Sequence, residues 1–489
     1  MKKIIIVGSG NAALTAGIAA LEKGASVSIY EKASKKLAGG NTKYTAGAMR
    51  FSYKNGDQLK KFLKNPSDPR IKETDFGSYD EEKFKNDLLS FNDGRNLSSE
   101  QITLVSQSYD TIKWLASHDI KFEPIYSRQS FLRNNKYVFW GGLTLASENE
   151  GVGLFEQELA VFLKLGGYIY YDSPVSGLIY ENNRVSGVIV KENKIKADAI
   201  ILGSGGFEAN EKLRKEFIGD NWSKAKVRGT PHNTGDGLIM ALEIGAMKYG
   251  LYNNCHATPM DFYMKNYGGL DLKPGERKNY RKICYFLGIM ININGKRFLD
   301  EGKNFRNYTY AQYGRKVLEQ PKHIAWQIFD SKVFDLLYEE YRFHDAHYIE
   351  AQTINELIAS IDEIDRKQAL NTIDEYNFSV NENITFDPTI LDGKCTLGLK
   401  IKKSNWAQKI DKGPFRAYPV TGGITFTYGG LKVNPHGAVL NIHKKPINGL
   451  FACGELVGGV FFNGYPGGSG LTSGAVFGRI AGYGSVQEG

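Results

Sequence analysis

The stretch from Met1 to Lys23 constrains the fold more than any other, because it combines a short apolar run, a glycine turn and a helix. Ile4 to Val7 has the composition of a strand buried on both faces, and Asn11 to Lys23 is alanine-rich and helical in pattern. Between them stands Gly8-Ser9-Gly10. This order predicts a strand–turn–helix unit in which the first glycine permits a tight turn and the second lets the backbone approach a pyrophosphate.

The same unit predicts how a dinucleotide would bind. Ala13 is small where the helix must lie close to the strand, and the phosphates would sit at the helix N-terminus. A second predicted strand, Ala25 to Tyr30, ends at Glu31, which is placed to bind a ribose hydroxyl. An acid there opposes a 2′-phosphate, so NADP is disfavoured. A glycine turn alone is a weak signal, but the strand, the helix and the acid together favour NAD or FAD.

The other end of the chain favours FAD over NAD. Gly449 to Glu455 (GLFACGE) has the pattern of a short buried strand, and Gly470-Leu471-Thr472 begins a helix that runs to Gly482. Gly39 to Thr42 (GGNT) adds another close backbone approach after the second strand. Glycine-rich strand-to-helix elements at opposite ends imply one cofactor domain assembled from both termini. FAD is long and needs both halves of such a domain.

The middle of the chain differs in composition. Val185 to Val190 and Ala197 to Leu202 have strand patterns, and Leu238 to Ala246 has the pattern of an amphipathic helix. From about Met247 to Ala417 tyrosine, asparagine and lysine become more frequent, and this region includes a predicted helix from Ile354 to Val380. The shift in composition indicates an inserted domain.

These patterns predict an α/β protein with one insertion. Residues 1–246 and 418–489 would form a Rossmann-like FAD-binding domain built from both termini, and residues 247–417 an inserted α+β capping domain that binds the substrate. The sequence has no internal repeat and no low-complexity tract, so repeat architectures are excluded.

Composition excludes several classes of function. The formal net charge is +9, but basic residues are spread among acidic ones without a basic block, so we expect no nucleic-acid partner. No apolar run reaches about 18 residues, so no membrane span is expected. The four cysteines form no CxxC pair, which argues against an iron–sulfur cluster, a zinc site or a c-type haem, and fits a reducing, cytoplasmic location. The apolar N-terminus is interrupted too early for a signal peptide, and we interpret it as structure.

Taken together, the motifs resemble the flavoprotein family of fumarate reductase and succinate dehydrogenase, which also includes 3-ketosteroid dehydrogenases and tricarballylate dehydrogenase. The resemblance covers nearly the whole chain, and the motifs occur in the family's order: GSGNAALTAG, GGNT, LGSGGFEAN, TGDG, NGKRFLDEG, YGGLKV, GLFACGE and GGSGLTSG. Within the family, GNAAL, VRGT, GITFTY and GRIAG are most similar to tricarballylate dehydrogenase.

The resemblance implies a set of FAD contacts spread along the chain. These are Gly8, Gly10, Asn11, Ala12, Glu31, Lys32, Asn41, Thr42, Gly47, Val175, Asp236, Glu455, Gly470 and Leu471. Respiratory members of the family attach FAD through a histidine in the second glycine segment. That segment is GGNTKYTAG in this chain and has no histidine, so we expect noncovalent FAD.

The substrate side departs from the fumarate reductase pattern, in which two histidines and two arginines act on the dicarboxylate. His256 is retained, although the Pro of its His-Pro-Thr motif is replaced. The catalytic arginine aligns with Phe305, one residue before Arg306, and the second histidine aligns with Thr425. The second arginine aligns with Tyr465. Tricarballylate dehydrogenase resembles this chain in the same departures.

We therefore expect Tyr465, Arg306 and His256 to be catalytic. A polycarboxylate needs cations with fixed geometry, so the substrate-binding candidates are Arg50, Arg281, Thr425 and His256. No metal site is expected.

The reaction that the resemblance implies is oxidation of a C–C bond next to a carboxylate, of the tricarballylate to cis-aconitate type, with hydride passing to flavin N5 and a proton leaving the neighbouring carbon. A separate electron-acceptor protein would reoxidise the flavin. The alternatives are a 3-ketosteroid dehydrogenase, since these have a similar Tyr-Pro-Gly segment, a fumarate reductase, and a non-catalytic flavin-binding electron carrier.

Overall fold

The largest sheet contains strands from both ends of the chain. In the computed structural model, which describes residues 1–139, 141–267 and 280–488, the strand Lys3–Val7 pairs in parallel with Ser26–Tyr30 on one side and with Ala199–Leu202 on the other. Ala199–Leu202 pairs in turn, also in parallel, with Pro446–Ala452. The predicted α/β fold, with a cofactor domain assembled from both termini, is confirmed.

This sheet has nine strands. Its main path runs in the order Val175–Glu181, Arg184–Val190, Pro446–Ala452, Ala199–Leu202, Lys3–Val7, Ser26–Tyr30 and Tyr168–Tyr170. Two further strands pair beside this path, Asn193–Lys196 and Ala438–Leu440. Ile4, Ile5, Ile6 and Val7 are all buried, as expected for a central strand covered on both faces.

The chain divides into two compact units. The first consists of residues 1–219, 229–256 and 425–489, and the second of residues 220–228 and 257–424. Relative to the division expected from the sequence, the insertion begins and ends later, and it also includes residues 220–228. The reason for that addition is a short strand, Lys226–Val227, which pairs with Gly423 and Ile424 of the second unit.

The first unit contains most of the helices. They are Asn11–Glu22, Gly56–Lys60, Glu81–Leu89, Ser99–Ser117, Tyr126–Gln129, Glu150–Lys164, Glu211–Phe217, Asp236–Glu243 and Ser469–Glu488. Three small sheets also belong to this unit. The first contains Ala48–Met49, Leu145–Ser147 and Phe122–Pro124, and the second contains Thr74–Asp75, Lys136–Phe139 and Ser130–Arg133. The third pairs Lys248–Tyr249 with Gly430–Leu431.

The first and last helices of this unit pack closely because one of them carries a row of glycines. A Cβ at Gly478 would lie 2.4 Å from the carbonyl oxygen of Ala12, and a Cβ at Gly482 would lie 2.3 Å from that of Ala16. Residues four apart share one face of a helix, so these glycines form a single seam against Asn11–Glu22. A larger residue in the seam would separate the two helices.

The second unit is an α+β structure around a six-stranded sheet. The strands of this sheet are Lys226–Val227, Cys255–Asp261, Ile289–Asn292, Ala325–Asp330, Ile349–Ala351 and Phe415–Thr427. Residues 255–256 and 425–427 of two of these strands are counted with the first unit. The α-helices of the second unit are Arg306–Leu318, Ile354–Ala359 and Arg366–Ser379. The helix Arg366–Ser379 buries Ala369, Ile373 and Tyr376 in the core, at the spacing of one helical face.

The predicted helix from Ile354 to Val380 was wrong, because the structure has two helices there. The first ends at Ala359, and Glu363 then has a φ of +58°, which a continuous helix does not permit. Asp365 caps the second helix by accepting a hydrogen bond from the N–H of Gln368 at 3.0 Å. The capping acid inside the apolar pattern is the signal that sequence analysis missed.

Within residues 1–139, 141–267 and 280–488, no helix is both long enough and apolar enough to cross a membrane. Over the same part of the chain, no group of three or more His, Cys, Asp or Glu side chains is arranged to hold a metal ion. The four cysteines are free thiols.

Candidate functional site

The N-terminal glycine turn has the geometry of a pyrophosphate cradle. Gly8 ends the first strand with a φ of +98°, and a Cβ there would lie 2.6 Å from the carbonyl oxygen of Gly203. Glycine alone satisfies both the conformation and the space. Gly10 then caps the helix Asn11–Glu22 without a side-chain hydrogen bond, which leaves room for an anion at the helix N-terminus.

Glu31 follows the second strand and is held by two donors. Its Oε2 accepts a hydrogen bond from Oγ of Ser9 at 2.7 Å, and its Oε1 accepts one from the N–H of Ala33 at 2.7 Å. Each carboxylate oxygen has a further lone pair, so the group can still accept a hydrogen bond from a ribose hydroxyl. The arrangement fits the role that the sequence predicted.

Lys32 and Asp236 form an ion pair at the start of the helix Asp236–Glu243. Nζ of Lys32 lies 2.7 Å from Oδ2 of Asp236, and Oγ1 of Thr234 donates to Oδ1 of the same carboxylate at 2.7 Å. Both charged side chains are partly exposed, so a polar cofactor group can reach them without a large desolvation cost.

Residues from three distant parts of the sequence meet at the N-terminus of the first helix. Oγ1 of Thr42 accepts a hydrogen bond from the N–H of Asn11 at 3.0 Å, and Nδ2 of Asn11 donates to the carbonyl oxygen of Leu471 at 2.8 Å. A Cβ at Gly454 would lie 2.7 Å from the methyl group of Ala12. The first helix, the GGNT turn and the last helix therefore form one cradle.

Asn41 ties this cradle to its surroundings. Its Nδ2 donates to Oε1 of Glu208 at 2.6 Å and to the carbonyl oxygen of Thr425 at 2.8 Å. Its Oδ1 accepts a hydrogen bond from the N–H of Thr230 at 2.9 Å. Both amide hydrogens are thus used inside the protein, and only the second lone pair of Oδ1 is left for a cofactor.

The other predicted FAD contacts lie in the same unit. Gly47 has a φ of +65°, and a Cβ there would lie 2.5 Å from the backbone of Glu150. Val175 begins a strand of the main sheet and is 7% exposed. Oε1 of Glu455 accepts hydrogen bonds from N–H and Oγ1 of Thr427, at 2.6 and 2.9 Å.

A Cβ at Gly470 would only make ordinary contacts, at 3.8 Å, with the rings of Phe426 and Tyr465. All of the predicted FAD residues, from Gly8 to Leu471, lie in the first unit. A narrow glycine cradle, an oriented acid and polar groups beyond it fit an extended dinucleotide such as FAD.

Tyr465 lies in an aromatic cluster with His256, Phe426 and Phe461. The ring centroids of His256 and Tyr465 are 4.8 Å apart in an edge-to-face arrangement, and His256 stacks on Phe426 at 5.0 Å. Phe461 lies 5.3 Å from Tyr465. His256, Tyr465 and Phe461 are buried, and Phe426 is partly exposed. Thr425, the other substrate candidate of this unit, precedes Phe426 and is also buried.

Arg50 is also in the first unit, but its guanidinium is fully buried. Its Nε donates to the carbonyl oxygen of Gly467 at 2.8 Å, and its Nη1 lies 3.4 Å from Oδ2 of Asp87. The guanidinium also lies over the ring of Tyr79, 5.0 Å from its centroid. In this position Arg50 orients the segment that follows Tyr465.

Arg281 and Arg306 belong to the second unit. Arg281 pairs with Glu340, with Nη2 at 3.1 Å from Oε1. Arg306 begins the helix Arg306–Leu318, and its Nε donates to the hydroxyl of Tyr338 at 2.7 Å. Burial and the neighbouring Arg306 cation act in opposite directions on Tyr338, and its pKa is raised because burial dominates.

Three residues with close contacts to predicted site residues were missed by sequence analysis. Glu208 lies in LGSGGFEAN and Phe426 in GITFTY, two motifs that carry the family resemblance. Neither residue was predicted to have a role of its own. Tyr338 gave no signal, because nothing in the sequence links it to Arg306, 32 residues away.

Known proteins share both the sequence pattern and the fold. A family model described as FAD binding domain (FAD_binding_2) matches residues 3–68 and 102–471. The chain is 26% identical to Fumarate reductase (cytochrome) from Shewanella frigidimarina, over 98% of this chain and 76% of that protein. It is 27% identical to 3-oxosteroid 1-dehydrogenase from Mycolicibacterium smegmatis, over 58% of this chain and 51% of that protein.

A solved structure, the open conformation of a flavocytochrome c3 fumarate reductase, has the same fold with a TM-score of 0.72. The sequence identity is 23%, and the match covers 100% of this chain and 78% of that chain. The family match includes the glycine turn, Glu31, the GGNT turn and the C-terminal glycine segment as far as Leu471. The chain belongs to the FAD binding domain family, and it is an FAD-dependent oxidoreductase acting on CH–CH groups.

Proposed function

We propose that the protein is a dehydrogenase that oxidises a C–C bond next to a carboxylate in a small polycarboxylate, of the tricarballylate to cis-aconitate type. The observation that carries this proposal is the contact between His256 and Tyr465, whose rings meet at 4.8 Å in the unit that holds the FAD cradle. Both residues were selected from the sequence as groups at the reacting end. Their contact puts two proton-handling side chains beside each other.

FAD supplies the hydride acceptor when it is bound. The protein must hold the substrate and move the proton. A hydrogen on the carbon next to a carboxylate is weakly acidic, so the charge that develops on that carboxylate needs cations or hydrogen-bond donors. We assign proton transfer to the hydroxyl of Tyr465, with Arg306 as the competing candidate, and carboxylate binding to His256, Arg281 and the hydroxyl of Thr425.

The structure suggests a different role for Arg50 from the one expected. Its side chain has no exposed surface and binds Gly467 and Asp87. We propose that Arg50 holds the segment after Tyr465 in place through its hydrogen bond to Gly467 and does not bind the substrate. The net charge of +9 would still help to attract a polyanion.

We propose that FAD is held noncovalently. In the segment GGNTKYTAG, the residues that contact the cradle are Asn41 and Thr42, and neither can form the histidyl link found in respiratory relatives. Precipitation of the purified protein with acid should release all of the yellow colour into the supernatant. Flavin that stays with the pellet would contradict this assignment.

We propose two further properties that follow from the same reaction. Electrons must leave the reduced protein, and the chain contains no cysteine motif for a cluster or an attached haem, so a separate electron-acceptor protein is the proposed partner. Free thiols at all four cysteines are compatible with a cytoplasmic location.

A second candidate function is 3-ketosteroid dehydrogenation. The observation that favours it is the apolar surface around Tyr465, where Phe426 and Phe461 lie 5.4 and 5.3 Å from its ring. Such a surface suits a flat, hydrophobic ketone, and a tyrosine hydroxyl can polarise a carbonyl group. Fumarate reduction is weaker, because Thr425 and Tyr465 replace two groups of that site.

One anaerobic titration separates these candidates. Tricarballylate is added to the oxidised protein, and the visible flavin absorption is followed. Bleaching supports the polycarboxylate assignment, and bleaching only by a 3-ketosteroid overturns it in favour of the second candidate. If neither compound reduces the flavin, fumarate is added to dithionite-reduced protein, and recovery of the yellow colour assigns a fumarate reductase. A flavin that responds to none of the three indicates an electron carrier.

A further inference from the structure

Glu208 is a carboxyl group with no exposed surface, located beside the FAD cradle. Its Oε1 accepts hydrogen bonds from Nδ2 of Asn41 and Nδ2 of Asn233, both at 2.6 Å. Its Oε2 is equally buried and receives no hydrogen bond from an amide, hydroxyl or cation in the described ranges. A carboxylate would be strongly destabilised in its ionised form if one of its oxygens were buried without a hydrogen-bond donor.

The neighbour of this carboxyl is another carboxyl, that of Glu455. The two carboxyl groups lie close enough for a hydrogen bond, and each affects the pKa of the other. Ionised carboxylates can only accept hydrogen bonds, so this contact requires a proton between them. Burial raises the pKa of Glu455 as well, but two hydrogen bonds from Thr427 to one of its oxygens oppose that rise and favour the charged form. The proton therefore belongs mainly to Glu208.

The charge environment agrees with this assignment. Burial, followed by the charge of Glu455, raises the pKa of Glu208 well above its usual range. The remaining charged groups nearby do not offset this effect. Nη1 of Arg214 donates to the backbone carbonyl of Glu208 at 2.6 Å, and Lys43 and His232 belong to the neighbouring segments that carry Asn41 and Asn233.

We infer that Glu208 is a positioning residue that stays protonated at neutral pH, donates its proton to Glu455, and accepts hydrogen bonds from Asn41 and Asn233. It thereby joins four segments of the cradle through one neutral acid: the GGNT turn, the GGFEAN loop, the loop before Asp236 and the GLFACGE strand end. Only one negative charge then resides on the pair, and it lies on Glu455, a predicted FAD contact. The inference goes beyond the proposed reaction and does not depend on the substrate.

Glu208→Gln is the matched variant for a test, because a glutamine reproduces the protonated acid. Its amide oxygen can accept from both asparagines, and its NH₂ group can donate to Glu455. Glu208→Leu removes both functions and takes away the carboxyl acceptor that Asn41 and Asn233 share. We expect the FAD-loaded leucine variant to lose FAD and thermal stability, and the glutamine variant to restore both.

The first measurement is the infrared spectrum of the FAD-loaded protein at pH 7, in the region of the protonated carboxyl C=O stretch. We expect the wild type minus Glu208→Gln difference spectrum to contain a protonated-carboxyl band. Glu158, a second fully buried acid whose pKa burial raises, contributes its own band, so Glu158→Gln serves as the reference for a separate component. A difference spectrum for Glu208→Gln without that band would overturn the inference.

The second measurement is the melting temperature of wild type and Glu208→Gln between pH 5 and pH 9. The unfolded wild-type chain releases the proton of Glu208 above its ordinary pKa of about 4.5, whereas the folded chain keeps it. The stability of the wild type therefore falls with rising pH relative to the glutamine variant, by up to about tenfold in the unfolding equilibrium constant per pH unit. The pH-dependent part of the difference should shrink towards pH 5 and vanish below the ordinary pKa, where both states keep the proton.

A difference in melting temperature that is constant over this range would contradict a raised pKa. If Glu208→Gln does not fold, Glu455→Gln provides the test. Glu455→Gln removes the charged acceptor, so the infrared band of Glu208 should shift in frequency while remaining present. An unchanged band would show that the two carboxyl groups do not share a proton.

Discussion

Nε of Arg50 donates a hydrogen bond at 2.8 Å to the carbonyl oxygen of Gly467, a residue 417 positions later in the chain. The backbone N–H of Arg50 also donates to the carbonyl oxygen of Gly468, at 3.0 Å. The segment that follows Tyr465 is thus fixed by a buried arginine and its backbone. From the sequence we expected this arginine to bind the substrate.

Replacing Arg50 by methionine should destabilise the protein and loosen the Tyr465 segment. The change removes the hydrogen bond to Gly467 and leaves Asp87 without its cation, so we expect a loss of roughly 2–4 kcal/mol in the free energy of unfolding. Denaturant unfolding followed by flavin fluorescence measures it. Arg70→Met is the control, since Arg70 pairs with Asp68 at the surface and should cost less than about 1 kcal/mol.

Replacing Tyr465 by phenylalanine should slow reduction of the flavin by substrate roughly 100- to 10,000-fold, because the hydroxyl is the proposed proton-transfer group. Stopped-flow absorbance under anaerobic conditions measures this rate. Tyr252→Phe is the matched control: it removes the hydroxyl of another, partly buried tyrosine of the same unit, which donates to the carbonyl oxygen of Gly430 at 2.7 Å. Equal rates in wild type and Tyr465→Phe would remove the tyrosine from the mechanism.

Gly8→Ala should abolish FAD binding, whereas Gly24→Ala should not. Both glycines have a positive φ, +98° and +81°, so both substitutions cost about 1–2 kcal/mol in backbone strain. The two positions differ in the room available for a side chain. A Cβ at Gly8 would lie 2.6 Å from the carbonyl oxygen of Gly203, whereas a Cβ at Gly24 would have no atom within 4 Å. The flavin-to-protein absorbance ratio after gel filtration distinguishes the two variants. Similar ratios would show that the turn tolerates a side chain.

The stability contributed by Lys282 should depend on pH. Burial lowers the pKa of Lys282 to about 8, although Asp261 and Glu340 oppose this shift. Between about pH 8 and 10.5 the unfolded chain therefore binds a proton at this lysine that the folded chain does not, and the stability of the wild type rises with pH. Lys282→Met lacks this pH dependence. Between about pH 8 and 10.5 the melting temperature of the wild type should therefore rise relative to that of the variant.

Below about pH 8 the lysine is protonated in both states, and the difference between wild type and Lys282→Met should be constant. Lys409→Met, which removes a partly exposed lysine paired with Glu382, is the comparison. We expect its melting temperature to follow that of the wild type at every pH. A flat difference for Lys282→Met across pH 8 to 10.5 would show that the lysine keeps its charge when buried.

The sequence predicted the cofactor unit well because its determinants are local. The strand predicted from Ala25 to Tyr30 is Ser26–Tyr30, and the helix predicted from Asn11 to Lys23 is Asn11–Glu22. Glycine turns and strand ends impose their geometry within a few residues, so a reader of the sequence can find them. Glu31 was selected by the same local logic and stays a predicted ribose contact.

The substrate side was harder to predict because its geometry depends on long-range packing. Nothing in the sequence shows that Arg50 contacts Gly467, or that Glu208 lies against Glu455. The break between Ile354–Ala359 and Arg366–Ser379 was missed for a different reason, since the apolar periodicity continues across it while Glu363 leaves the helical region. Periodicity reports which face is buried, not whether the backbone is continuous.

The glycine seam between the first and last helices also has a consequence for synthesis. The helix Asn11–Glu22 leaves the ribosome well before the helix that covers it, Ser469–Glu488, because the two are far apart in the sequence. At about 5–20 residues per second, the first helix waits on the order of a minute for its partner. During that delay an alanine-rich surface is exposed, so the nascent chain is a candidate for protection by chaperones. A ribosome that stalls before Ser469 would leave the cofactor unit without the helix that covers this surface.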